Sequence, residues 1–108
     1  MPVPTPSPAA RHAAQLLGSE IRAGRLERGW TVAGLAERAE VAERTVRKVE
    51  QGSLSVAVGT VLDCAVLTGV PLFHDDERRL ADESARARAA VIGKRVRRPA
   101  PPEADLDF

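Results

Sequence analysis

The 108 residues are 44% hydrophobic and 29% charged but only 3% aromatic, which suits one small helical core better than a β-sandwich. No apolar run approaches the roughly 18 residues of a membrane span, and the N-terminus lacks the cationic start and apolar centre of a signal peptide. The single cysteine, Cys64, can form no internal disulfide and has no metal-ligand spacing around it, so it reads as a buried thiol in a cytoplasmic protein.

Net charge is +1, which by itself says nothing about nucleic acid. Its distribution says more: residues 75–98 hold eight basic side chains against five acidic ones, and the last ten residues hold three acidic and none basic.

In chain order, MPVPTPSP places proline at positions 2, 4, 6 and 8, so residues 1–8 read as a PPII-like disordered arm. A first helix is predicted over about 9–28, with Leu16, Leu17, Ile21 and Leu26 inward and Gly29 closing it. Next comes TVAGLAERAEVAERTVRKVEQG. Val32, Leu35, Ala36 and Ala39 share one helical stripe, but continuing that helix would put Val41 on the opposite side. Two helices bending near residues 40–41 bury Val41, Val46 and Val49 as well. Thr31 caps the first of them, and the second spans about 43–51 and stops at Gly52.

A fourth helix is expected over about 56–68, burying Val58, Val61, Leu62, Ala65 and Val66 before Gly69 and Pro71 end it. Leu72 and Phe73 then close over the core. Residues 74–96 read as a fifth helix, acidic first and basic last, in agreement with the helix dipole. The prolines and acids after Arg98 indicate a flexible tail.

Helix, short turn, helix among other helices is a helix-turn-helix arrangement. The run RAGRLERGWTVAGLAERAEVAERTVRKVEQG, followed by Thr60-Val61 and Gly69-Val70-Pro71-Leu72, resembles the Cro/CI-type (XRE family) helix-turn-helix proteins over about residues 16–73. The resemblance implies an all-α, compact five-helix Cro/CI repressor-like domain with disordered N- and C-terminal tails, binding duplex DNA as a homodimer. It divides the chain into the arm at 1–8, a DNA-binding domain at 9–73, a dimerising helix at 74–93 and a basic run with an acidic tail at 94–108. The preferred dimer strip is Leu80, Ala87 and Val91, with Leu72 beside it.

The resemblance also implies residue roles. Arg25 and Glu50 stand where a structural ion pair ties the first helix to the third. Glu43, Arg44 and Lys48 stand where side chains reach base edges, and Thr31 and Arg47 suit phosphates. Read on charge alone, that face is better taken as a solvated surface. Three departures bear on affinity: Glu40 where a turn glycine is common, Ala42 in place of a Ser or Thr cap, and Val32 in place of a polar side chain.

The tail layout is similar to that of HipB-like antitoxins, whose partners are HipA-like kinases. It implies a repressor that is also the autoregulating antitoxin of a toxin–antitoxin operon, with Leu106 and Phe108 as anchors that order on the toxin; without the likeness the tail reads as a solvated, degradable end with no partner. The competing reading is a protein-interaction module that uses its tail and reads no DNA. An enzyme is not expected: His12 and His74 are isolated, and Ser53 and Ser55 have no nearby base. Neither a cofactor nor a metal is expected, and the protein is placed at the nucleoid.

Overall fold

The computed structural model describes residues 5–73 and 76–94, which form five helices and no extended strand. They are α1 (Pro8–Glu27), α2 (Val32–Ala39), α3 (Glu43–Glu50), α4 (Val58–Leu67) and α5 (Glu77–Lys94). Residues 1–4 of the expected arm, His74, and the basic run and tail beyond Lys94 lie outside the described residues.

The arm's last proline belongs to α1. Ser7 Oγ accepts from the Ala10 amide at 3.1 Å, and Pro8 occupies the first turn, where its missing N–H costs nothing. The inward stripe of α1 is Leu17, Gly18, Ile21, Gly24 and Arg25, while Leu16 and Leu26 are exposed, against expectation. The two glycines are inside because neighbouring backbone needs their space. A Cβ on Gly18 would strike the Val49 carbonyl, and one on Gly24 the Thr68 carbonyl.

Helices α1 to α4 enclose the core, made of Ile21, Leu35, Ala36, Val46, Val49, Cys64 and Ala65, with Leu17, Val32, Val41 and Val61 half-buried around it. Burial pushes the Cys64 thiol's pKa up, and the Asp63 and Glu50 carboxylates push the same way. Helix α4 corrects the sequence reading. Cys64 and Ala65 are buried and Val61 half-buried, but Val58, Leu62 and Val66 face solvent. Thr68 takes the remaining inward place, its hydroxyl donating to the Cys64 carbonyl at 2.7 Å. Leu72 packs on the core, whereas Phe73 points away from it.

The four helices end alike. The amides of Trp30, Val41, Ser53 and Val70 each reach back five residues, to the carbonyls of Arg25, Ala36, Lys48 and Ala65. Such a closure needs a left-handed residue just before the donor. Glycine supplies it at positions 29, 52 and 69; at the turn between α2 and α3, Glu40 supplies it with φ 59° and ψ 44°.

The chain divides into two compact units, residues 1–75 and 76–108. In the second, α5 starts on Asp76, whose carboxylate accepts from the Arg78 amide at 2.9 Å, and Arg86 and Glu83 pair along its surface. Leu80 is half-buried and the rest of α5 is exposed.

Candidate nucleic-acid interface

Helix α3 has eight residues, too few to hold itself together in water. Its position is set by what it buries and by its C-terminal end. Val46 and Val49 enter the core, three residues apart on one face. At the end, the Arg25 guanidinium grips Glu50 with both arms: Nε donates to Oε2 at 2.6 Å and Nη2 to Oε1 at 3.0 Å. Its third nitrogen, Nη1, donates to the Trp30 carbonyl at 2.9 Å. Both charged side chains are 8% exposed, and the hydrogen bonds to Glu50 hold the Arg25 pKa above the ordinary arginine value. One side chain thus joins α1, the start of α2 and the end of α3 into a fixed angle.

With Val46 and Val49 turned inward, Glu43, Arg44, Arg47 and Lys48 are all exposed. Glu43 and Arg47 form an ion pair at 3.3 Å across one helical turn. Arg44 and Lys48, also one turn apart, make no hydrogen bond or ion pair among the described residues. The outward face therefore presents two free cations beside a cation already paired with a carboxylate.

Thr31 caps α2, its hydroxyl accepting from the Gly34 amide at 2.9 Å, and remains exposed. Ala42 stands at the matching place before α3, with the extended backbone of a cap residue (φ −72°, ψ 152°) and no side-chain hydrogen bond. Val32 is half-buried and packs on the core, so apolar burial replaces whatever a polar residue would contact there. The expected tail anchors Leu106 and Phe108 lie outside the described residues.

The sequence pattern suggested no role for Arg28 or Arg38. The Arg38 guanidinium lies 4.0 Å above the centre of the half-buried Trp30 ring, and that of Arg28 lies 5.7 Å away. Arg28 also donates to the Thr68 carbonyl at 2.7 Å, tying the end of α1 to the end of α4. A lone tryptophan in an arginine-rich stretch was the available signal, but Arg38 stands eight residues further on and is brought back to it only by the nearly two turns of α2.

Among the described residues no group of acidic, histidine and cysteine side chains is placed to hold a metal ion, and no helix is long and apolar enough to cross a membrane. Two short helices joined by a tight turn, the second exposing a cationic face on a four-helix core, define the helix-turn-helix class of DNA-binding regulators. A family model described as a helix-turn-helix domain matches residues 16–81, and the chain belongs to that family, as its likeness to Cro/CI-type proteins implies. No curated protein and no solved structure matches the chain.

Proposed function

We propose that the chain is a sequence-specific transcriptional repressor that binds duplex DNA as a homodimer, with α3 in the major groove. What carries this reading is the free Arg44–Lys48 face on a helix whose far end is fixed by the buried Arg25–Glu50 pair. Arg44 can donate two hydrogen bonds to guanine O6 and N7, a contact worth about 1–3 kcal/mol of discrimination, and Lys48 can reach the same atoms with a point charge.

Glu43 is suited to accept from cytosine N4, and Arg47 to meet a phosphate. Their mutual pair is exposed and worth at most about 1 kcal/mol, so DNA can exchange it at little cost. The Thr31 hydroxyl, already accepting from Gly34, still has its proton to donate to a phosphate oxygen. Selection of duplexes from a random pool, followed by titration of the selected site at several salt concentrations, tests the reading. A preferred sequence bound with steep salt dependence supports it, and equal binding of all duplexes counts against it.

The finer role of autoregulating antitoxin rests on the layout of the sequence, a DNA-binding domain followed by KRVRR and an acidic tail ending in Leu106 and Phe108. It is tested by co-purification. One stoichiometric kinase-like partner retained by the full chain and lost on removing residues 99–108 supports it, and a partner-free chain leaves a lone repressor acting at the nucleoid.

A further inference from the structure

On α4, Val58, Leu62 and Val66 follow one another at four-residue spacing, 72%, 42% and 63% exposed, and Leu54 continues the apolar surface ahead of the helix at 47%. This surface borders a shallow apolar groove whose walls include Ala10, Ala14 and Leu17 of α1 and Val61 of α4. The one charge of α4, Asp63, stands at the edge of the ridge, about 100° from Leu62 and about 60° from Val66 around the helix. Gly59 adds no bulk beside the ridge: the place where its Cβ would stand is open.

We infer that this ridge is the contact between two copies of the chain, with α4 crossing its two-fold mate at Leu62. The order Val58–Leu62–Val66 reads the same in both directions, so a two-fold axis at Leu62 sets each Val58 against the other copy's Val66. That is the self-complementarity an isologous interface requires. A row of side chains four apart is also the ridge that packs between the ridges of a second helix at a crossing angle of about −50°.

Area sets the size of the apolar centre. Completely burying a Val or Leu removes on the order of 60–120 Å² of apolar surface, so the four exposed side chains supply on the order of 200 Å² per copy. A stable dimer covers about 800 Å² per partner around an apolar centre. The ridge is such a centre, and the groove walls and polar edge of α4 supply a periphery. So small an apolar centre makes a weak, concentration-dependent dimer.

The strip of α5 preferred from sequence offers less, since Ala87 and Ser84 stand between Leu80 and Val91 where bulky side chains would have to interlock. The inference rests on the homodimer reading and names its face.

Sedimentation equilibrium of the full chain without DNA, from low to high micromolar, is the test. The wild type is expected to pass from monomer to dimer. Leu62→Glu and Val66→Glu are expected to stay monomeric throughout, with unchanged far-ultraviolet circular dichroism. Should Leu62→Glu unfold, Val58→Glu carries the test at the most exposed position of the ridge. In air, Leu62→Cys is expected to give a disulfide-linked dimer, because the residue on the axis meets itself; the wild type, whose Cys64 is buried, is not. A wild type that stays monomeric at high concentration overturns both the homodimer and this face. A dimer indifferent to glutamate on the ridge, or one dissolved by Val91→Glu alone, overturns the α4 face only.

Discussion

The two ends of α3 are held by different means. Its C-terminal end closes on Gly52, a residue at ease with its φ of 81°, and is gripped by the buried two-armed Arg25–Glu50 contact. Its N-terminal end follows Glu40, a side-chain-bearing residue in left-handed backbone, and starts on Ala42, which caps nothing. Left-handed backbone costs an L-residue about 1–2 kcal/mol, and a missing cap costs about 1 kcal/mol. The orientation of the proposed reading helix is therefore secured where the helix ends, and its start is held by Val41 and Val46 against the core.

The firmer end should break hardest. Arg25→Ala or Glu50→Ala leaves a buried charge without its partner, and a loss of about 3–5 kcal/mol is expected in urea unfolding. Comparable losses from Arg25→Ala, Glu50→Ala and the double variant would show that the two act as a unit; additive losses would show that they do not.

The weaker end should be open to improvement. Ala42→Ser places an oxygen where the backbone is already that of a cap, and about 1 kcal/mol of gained stability is expected. Glu40→Gly should gain about 1 kcal/mol by removing the left-handed cost. Thr31→Ala, at the start of α2, should lose about as much as Ala42→Ser gains.

Smaller effects come from the surface and from the thiol. Arg47→Ala should change stability by less than about 0.5 kcal/mol, because its ion pair is exposed, while lowering the salt slope of DNA binding by about 1. Cys64 ionises at higher pH folded than unfolded, so its contribution is whole below the unfolded value and is lost as pH rises through the folded value. Melting temperatures should thus fall on the alkaline side, and Cys64→Ala should flatten that fall.

The break between α2 and α3 was legible because a single straight helix would have exposed Val41. The left-handed backbone of Glu40 was legible only through the resemblance, which sets it where a turn glycine is common. Helix α4 was not legible in this way. Its apolar residues surround much of the helix, so periodicity could not choose between the face of Val58, Leu62 and Val66 and that of Val61, Cys64 and Ala65. In α1 the eye goes to Leu16 and Leu26, yet the inward stripe runs through Gly18 and Gly24, which carry no hydrophobic signal and matter because backbone crosses them closely. The cationic face of α3 could be read from its charges. The Arg25–Glu50 pair that fixes its direction joins side chains 25 residues apart, which no local pattern connects; only the resemblance pointed to it.

The central claim is that α3 reads DNA through Arg44 and Lys48. Its most direct test is titration of the selected duplex with the wild type and with Arg44→Ala/Lys48→Ala, alongside unfolding curves for both. The double variant is expected to fold with unchanged stability and to lose at least about a hundredfold in affinity for the preferred site, together with its preference over random duplex. Undiminished sequence-specific binding by that variant would contradict it.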